Sequence, residues 1–306
     1  MKAMVTGSAG FVGKHLIKHL QSCGDNVLTT DQIDGGPDLL DVEGLINILV
    51  NEKPEVVFHL AGQADVGKSW DDPVTTLRVN AEGTLHLLNA ARAVGTQRVV
   101  TVTSADIYGA VTSKELPITE NAPLKPISPY AVSKAAADLI ALQAKLGHGQ
   151  DVIRARSFNH LGPGQSERFV CSAIAARIAK NEQTGKKILK VGNLEAQRDF
   201  TDVRDVVRAY RMLAISGKSG MAYNICSGKS VAIADIASKL LSMSKQTMEL
   251  QTDPELLRPV DIPEIRGDPS RLLNDTGWEP TYHIDETLIE VINDWRERII
   301  TDSPAD

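Results

Sequence analysis

The sequence predicts an α/β protein: a doubly wound parallel sheet with helices on both faces, followed by a smaller C-terminal α/β part. Three observations predict it. Short β-rich runs alternate with helical patterns through the first half, the rhythm of repeated strand–helix–strand units. A glycine-spaced turn, "TGSAGFVG" at 6–13, joins the first run to the first helical pattern. Beyond about residue 160 the alternation loosens, and Gly, Pro and Arg become frequent in loops such as "HLGPGQ" and "DPELLRPVDIPEIRGDPSR".

In order, the elements are a strand at "KAMVT", a helix from about 10 to 22, a strand at "NVLTT", a helix in the forties, a strand at "EVVFHLA", a helix through the eighties and a strand at "RVVTVTS". Ser128 is a good N-cap and Pro129 suits the first helical position, so "AVSKAAADLIALQAKLG" reads as an amphipathic helix to Gly147. "DVIRARSF" follows as a buried strand, and helices over 232–243 and 284–298 lie between short strands. The last residues, "TDSPAD", read as a polar tail.

The glycine turn carries the first chemical implication. Gly7 permits a tight turn, Gly10 lets backbone approach a pyrophosphate, and Gly13 allows close helix–strand packing. With Phe11 and Val12 they open a helix whose N-terminal N–H groups and dipole favour phosphate. Asp31, after the second strand, stands where an acid contacts an adenosine ribose diol, or else caps the strand. An acid there repels a 2′-phosphate, which favours NAD(H) while leaving NADP(H) open. Asp41 is placed to approach the adenine, and Leu60, Ala61 and Gln63 of "HLAGQ" to pass beside the cofactor. We expect a dinucleotide-binding domain over 1–158, also receiving segments near 193–225, and a part over 159–306 that closes over the carboxyl edge of the sheet.

"SPYAVSK" at 128–134 carries the second. Positions i and i+4 share a helix face, so Tyr130 and Lys134 point the same way. A lysine ammonium beside a phenol lowers a pKa that starts near ~10, giving a proton donor and acceptor usable near neutrality. A surface tyrosine and a surface lysine are the alternative, but no other tyrosine has a lysine at this offset. Ser104 ends the fourth strand, where it can hydrogen-bond a substrate carbonyl or hydroxyl oxygen that Tyr130 protonates or deprotonates. Lys134 would also bind the nicotinamide ribose.

Composition sets the exclusions. At 306 residues, 42% hydrophobic and 24% charged, the chain has ample core. A net charge of −6 without a basic stripe argues against nucleic acid or an acidic membrane. No signal peptide or spanning apolar run is evident, and Cys23, Cys171 and Cys226 are too few and too scattered for a disulfide framework. A cytoplasmic protein is expected. His15 and His19 lie four apart but read as a solvated helix face, and no metal is expected.

Together "TGSAGFVG", "HLAG", Ser104 and "YAVSK" resemble the extended short-chain dehydrogenase/reductase superfamily over essentially the whole chain. "RSFNHLGPGQSERFV" at 156–170 and "VGNLEAQRDFTDVRDVV" at 191–207 are similar to its GDP-mannose 4,6-dehydratase branch. With the "LRP…TGWEP" ending, they are most similar to the reductases of that branch. The resemblance implies a Rossmann-type domain, a small nucleotide-sugar domain and a homodimer. It implies NAD(P)H-dependent reduction of the C4 ketone of GDP-4-keto-6-deoxy-D-mannose to GDP-D-rhamnose. The other face of C4 would give GDP-6-deoxy-D-talose. A 4,6-dehydratase, a nucleotide-sugar 4-epimerase and, from another class, a non-catalytic NAD-binding regulator are the alternatives.

Carried over by residue, the resemblance places Asn159 on the diphosphate, His160 near the nicotinamide, and Arg198 and Arg258 on the diphosphate or nucleoside. Arg198 has a competing reading as an ion-pair partner of Asp199 or Asp202. Asn193 would flank the base, and Phe169 and Val170 would line the pocket. Cys171 reads as packing. Asp106 stands where related dehydratases carry a glutamate base, one methylene longer, so it is a base, a group that positions a sugar hydroxyl, or a turn cap. Helix pairing in the dimer would use the helix after Ser128 and the one before the fourth strand, with the alanines at 135, 136 and 137 permitting close approach there or packing within the subunit.

Overall fold

The computed structural model of the chain describes residues 1–256 and 262–302. Its largest sheet is built first. Strands β1 (Lys2–Thr6), β2 (Asn26–Thr30), β3 (Val56–His59), β4 (Arg98–Ser104), β5 (Val152–Ser157) and β9 (Ala222–Ile225) pair in the order β2-β1-β3-β4-β5-β9, every pair parallel. The order reverses at β1 and β3, so the carboxyl ends of β1, β3 and β4 share one crevice, the place where doubly wound sheets hold ligands.

Helices cover both faces. On one, α1 (Phe11–Ser22) and α8 (Val203–Ser216) bury Leu16, Leu20, Val206, Tyr210 and Leu213 against the strands. On the other, α2 (Val42–Glu52), α5 (Gly83–Ala93) and α6 (Pro129–His148) bury Leu45, Leu49, Leu87, Leu88, Ala141 and Ala144. Two short helices, α3 (Lys68–Asp71) and α4 (Pro73–Leu77), and a π-turn at Arg78–Glu82 lead into α5. Strands covered on both faces have no polar side to show, which is why "VVFH" is buried throughout.

The second region has shorter strands and less regular pairing. β8 (Gln197–Asp202) lies between β10 (Ser230–Ala232) and β12 (Glu264–Ile265) and also pairs with β6 (Asn159–Leu161). β7 (Ile188–Val191) pairs with β11 (Glu249–Thr252). Three helices, α7 (Val170–Thr184), α9 (Ile233–Ser242) and α11 (Ile284–Asp302), enclose a core of Ile174, Ile178, Phe200, Ile236, Leu240, Leu288 and Val291. α10 (Ser270–Thr276) returns to the first region, where Leu272 and Trp278 join its core. Of the stretch 193–225, α8 and β9 belong with the large sheet and β8 with the small one.

One local expectation needs correction. α6 does not stop at Gly147; it continues to His148, and Gly149 closes it in the left-handed conformation with its N–H on the Lys145 carbonyl and the following Gln150 N–H on the Ala144 carbonyl. A helix ends where that conformation is adopted, not at the first glycine. Of the two readings of the α6 alanines, burial favours packing within the subunit. Ala135 and Ala137 are buried inside the subunit, and only Ala136 is half-buried. No helix among the described residues is long and apolar enough to cross a membrane.

Candidate active site

The crevice begins with the glycine turn. Gly7 has φ +70°, and a Cβ there would lie 2.7 Å from the Ala61 nitrogen at the end of β3; one on Gly13 would lie 2.2 Å from the Gly7 carbonyl oxygen. The Gly10 N–H donates to the Gly7 carbonyl (3.1 Å), and no side chain caps the start of α1. Its first N–H groups therefore face the crevice without a side-chain acceptor, as an anion site requires. The Ser8 hydroxyl is buried and has no partner within the protein. Glycine contacts this close and an orphaned hydroxyl at a helix N-terminus fit the pyrophosphate of a dinucleotide.

Asp31 sits beside this turn. One carboxylate oxygen accepts from Ala9 N–H (3.2 Å) and the other from Ile33 N–H (3.1 Å), where it caps a 3₁₀ turn over Gln32–Asp34. Asp41 is exposed and caps α2 by accepting from Gly44 N–H (3.0 Å).

Around Leu60, Ala61 and Gln63 lies a buried polar network that the sequence reading missed. Thr6 Oγ1 accepts from Ala61 N–H (3.2 Å) and bonds His59 Nδ1 (2.9 Å), while His59 Nε2 bonds Thr84 Oγ1 (3.0 Å). Thr84 donates to the Asn80 carbonyl (2.6 Å), so His59 reads as the Nε2–H tautomer, accepting at Nδ1. Burial, then the Lys134 charge, pulls His59 down to about 3, so it stays neutral. The Asn80 amide accepts from Gln63 N–H (2.8 Å) and donates to the Gln63 carbonyl (3.0 Å) and to Ser133 Oγ (2.9 Å). Ser133 donates in turn to the Tyr130 carbonyl (2.7 Å). Asn80 thus ties the loop after β3 to the helix of Tyr130, and its π-turn is the kind of helix defect that clusters at functional sites. The signal available in sequence was an asparagine inside an otherwise helical stretch, and a serine inside "YAVSK" itself.

Ser104, Tyr130 and Lys134 converge at the end of β4. α6 is capped by Ser128, whose Oγ accepts from Ala131 N–H (3.1 Å), and this sets Tyr130 in the first turn. Tyr130 is 8% exposed, with its phenol hydrogen-bonded to Ser104. Ser104 Oγ also accepts from Asp106 N–H (3.2 Å). Lys134 is buried, and its Nζ reaches the Val102 carbonyl (3.5 Å); burial pulls it down to about 8.

The expectation that Lys134 lowers the phenol is not met in the protein alone. Burial raises the Tyr130 pKa, the nearby Asp106 carboxylate adds to the rise, and the Ser104 hydrogen bond only offsets it. A buried phenolate loses its hydration, and an anion close by makes the loss worse.

The other candidates come from the second region. β6 leaves the end of β5, beside Ser104 in register with Ser157, and presents exposed Asn159 and half-buried His160. His160 stacks on Phe11 of the glycine turn (centroids 6.2 Å, 11° between planes) with Nδ1–H on the Phe158 carbonyl (3.0 Å), and burial lowers its pKa. Phe169, 40% exposed, precedes Val170 at the start of α7. Asn193 is exposed and accepts from Glu195 N–H (2.9 Å).

Arg198, on β8 beside β6, donates from Nη1 to the Ile262 carbonyl (2.7 Å) and its neighbour Gln197 (2.8 Å). The carboxylates weighed as its partners have other donors. Asp199 accepts from Ser227 N–H and Oγ–H, Gly228 N–H and Gly267 N–H, and Asp202 from Arg204 and Thr287. Arg258 lies outside the described residues. Cys171 is buried with its thiol pushed up to about 12, the behaviour of a packing residue. His15 corrects an expectation: instead of a solvated face, it is half-buried, edge-on to Phe11, and donates from Nε2 to the Pro163 carbonyl (2.8 Å). Among the described residues no group of three or more His, Cys, Asp or Glu could hold a metal ion.

A crevice at the switch point of a doubly wound sheet, with a phosphate-type glycine turn and a Ser–Tyr–Lys group at the end of β4, defines the extended short-chain dehydrogenase/reductase class. The family model for GDP-mannose 4,6 dehydratase matches residues 35–291. GDP-6-deoxy-D-mannose reductase from Pseudomonas aeruginosa is 38% identical over 97% of this chain and 98% of its own length. Two solved structures are similar: RMD from Pseudomonas aeruginosa complexed with NADPH (TM-score 0.89, 36% identity, 97% of this chain and 100% of that one) and Thermus thermophilus UDP-glucose 4-epimerase complexed with NAD (TM-score 0.86, 29% identity, 97% and 99%). The chain belongs to the GDP-mannose 4,6-dehydratase family of extended short-chain dehydrogenases/reductases.

Proposed function

We propose that the protein reduces the C4 ketone of GDP-4-keto-6-deoxy-D-mannose with NAD(P)H to give GDP-D-rhamnose. The observation that carries this is the Ser104–Tyr130–Lys134 group opening onto the glycine turn, in a chain 38% identical throughout to a GDP-6-deoxy-D-mannose reductase. The bound nicotinamide supplies the hydride. Ser104 holds the ketone oxygen, and Tyr130 delivers its proton to that oxygen as the alkoxide develops. Burial suits this direction of reaction, because it keeps the phenol protonated at neutral pH. Lys134, brought down to about 8, holds the ribose hydroxyls and returns a proton towards Tyr130.

In this reading the glycine turn, with Phe11 and Val12, takes the pyrophosphate, Asp31 the adenosine ribose, and Asp41 the edge of the adenine. Leu60, Ala61, Gln63 and His160 line the nicotinamide half. Asn159 and Arg198 take the sugar-nucleotide diphosphate, where a guanidinium fork suits phosphate oxygens. Asn193 flanks the base, Phe169 and Val170 wall the sugar, and Asp106 orients a sugar hydroxyl. NADH is the favoured cofactor: Asp31 is joined by Asp34 and Asp38, and residues 26–41 contain no lysine or arginine to receive a 2′-phosphate. Replacing Asp31 with Asn is expected to raise kcat/KM for NADPH relative to NADH by about tenfold, read from initial rates.

The protein is also proposed to be a cytoplasmic homodimer paired through α6 and the α4–α5 segment. Val132, Leu139 and Leu146 recur every seven residues on α6, 46%, 53% and 77% exposed, with Val74, Leu77 and Leu85 exposed on the partner segment. Leu139→Glu is expected to shift the sedimentation coefficient to that of a monomer.

The deciding assay supplies GDP-4-keto-6-deoxy-D-mannose from a separate dehydratase, follows oxidation of NADH and then NADPH, and identifies the sugar by NMR. Formation of GDP-D-rhamnose is the expected result. GDP-6-deoxy-D-talose would reverse the exposed face of C4. Consumption of GDP-mannose alone would make the protein a dehydratase with Asp106 as base.

A further inference from the structure

Asp106 lies on a 3₁₀ turn, Ala105–Tyr108, that leads away from the end of β4, and it has to hold one position beside Tyr130 for the proposed reaction. Near its ends the turn is held by Asp106 N–H on Ser104 Oγ (3.2 Å), Gly109 N–H on the Asp106 carbonyl (3.1 Å) and Lys125 N–H on the Ile107 carbonyl (3.0 Å). A further restraint comes from a polar group deep in the protein. Tyr108 is completely buried, an expensive place for a hydroxyl without partners, and it has two. It donates to Asn224 Oδ1 on β9 (2.6 Å) and accepts from Arg156 Nη1 on β5 (3.0 Å). Burial pushes its phenol up to about 12, so it stays a neutral hydrogen-bonding group at any working pH.

Arg156 joins this turn to the helix of Tyr130. Its guanidinium, 5% exposed, forks onto Asp138 of α6 from Nε (2.9 Å) and Nη2 (2.8 Å), and Asp138, itself fully buried, also takes Arg154 (2.7 Å). Asp138 lies two helical turns beyond Tyr130 and one beyond Lys134 on the same helix. The remaining Arg156 donor bond is to the Glu120 carbonyl (3.0 Å), and Asn224 binds the Ile118 carbonyl (2.8 Å) and, through its N–H, the Glu120 side chain (2.9 Å). One rigid cation therefore touches both the turn that carries Asp106 and the helix that carries Tyr130.

We propose that Tyr108, clamped between Arg156 and Asn224, is a positioning residue that sets Asp106 against Tyr130 and the substrate. Tyr108 touches neither substrate nor cofactor; its hydroxyl fixes the turn, and the turn fixes the carboxylate. A bidentate Arg–carboxylate pair inside the sheet is a stiffer reference than surface loops would be. The inference rests on the reading of Asp106 as a group that orients a sugar hydroxyl.

The test is a double-mutant cycle on the keto-sugar reduction with saturating reduced cofactor. Tyr108→Phe removes only the hydroxyl and is expected to lower kcat about tenfold with KM changed less than about twofold, the signature of a misplaced reacting group. In an Asp106→Ala background, where nothing remains to be positioned, the same replacement is expected to change kcat less than about twofold. An equal loss in both backgrounds overturns the proposal, because Tyr108 would then act on the structure at large. No loss in the single variant overturns it as well. Wild-type rates for Asp106→Ala overturn the underlying reading of Asp106 instead, and absence of turnover in the unaltered protein overturns the proposed activity. Should Tyr108→Phe fail to fold by circular dichroism, Asn224→Ala, which removes the acceptor of the same bond, replaces it in the cycle with the same expected and overturning results.

Discussion

The two regions of this protein hold their chemistry in opposite ways. In the large-sheet region the groups proposed to react are sealed: Tyr130 and Lys134 are each 8% exposed, and hydrogen bonds through Thr84, Asn80 and Ser133 tie the Tyr130 backbone to buried His59. In the small-sheet region the groups proposed to recognise substrate stand open: Asn159 and Asn193 are exposed and Phe169 is 40% exposed, on strands of three or four residues or in the loops between them. The difference follows from what each task requires. A proton donor needs a fixed distance and a fixed pKa, both of which burial supplies at the cost of demanding that every polar atom be paired. A binding wall for a large, charged ligand must admit it before closing on it, so its polar groups can stay in water until then.

That contrast can be broken or sharpened by substitution. The largest effect is expected from Tyr130→Phe: kcat for keto-sugar reduction should fall on the order of 10³-fold while the melting temperature stays within a few degrees and cofactor still quenches intrinsic fluorescence. An unchanged rate would remove Tyr130 from the chemistry. Asp138→Ala probes how far the sealed region depends on its buried pairing. Stranding Arg154 and Arg156 without a carboxylate should cost about 3–5 kcal/mol in urea unfolding, whereas Phe169→Ala in the open region should cost under about 1 kcal/mol. Equal costs would erase the distinction between the regions.

Arg198→Ala tests the open region directly. Loss of a charged contact to the diphosphate should raise KM for the sugar nucleotide by about 30-fold with cofactor affinity unchanged. A matching loss of cofactor affinity would place Arg198 on the wrong ligand.

The smallest effect concerns pH. Lys134 is brought down to about 8 when folded, below its ordinary value of 10.5. Between those values the unfolded chain binds the proton and the folded one does not, so this group makes stability rise with pH across the window, by at most about 1.4 kcal/mol per pH unit. Lys134→Met should remove that rise in the cofactor-free protein. The difference between wild-type and variant unfolding free energies at pH 8 and pH 10 is the measurement, and a flat difference would mean that Lys134 is better solvated than its burial implies.

Local patterns in the chain were enough for the strand–helix alternation, the glycine turn and the Tyr130–Lys134 spacing, because each is a matter of backbone period and of residues a few positions apart. Even the caps followed: Ser128 and Pro129 open α6 as their side chains dictate. The end of that helix did not, since Gly147 and Gly149 are equivalent until the backbone adopts the left-handed conformation at one of them. The remaining decisions were tertiary. Whether Tyr130 is raised or lowered depends on burial and on Asp106, 24 positions away in sequence. Asn80 serves the loop at Gln63 and the helix at Ser133, and Arg156 joins Tyr108 to Asp138, only because parallel strands bring their carboxyl ends to one edge. Sequence determines what a short segment can do by itself. A buried polar group is decided by which partners the rest of the chain places within about 3 Å of it, and no local pattern carries that information.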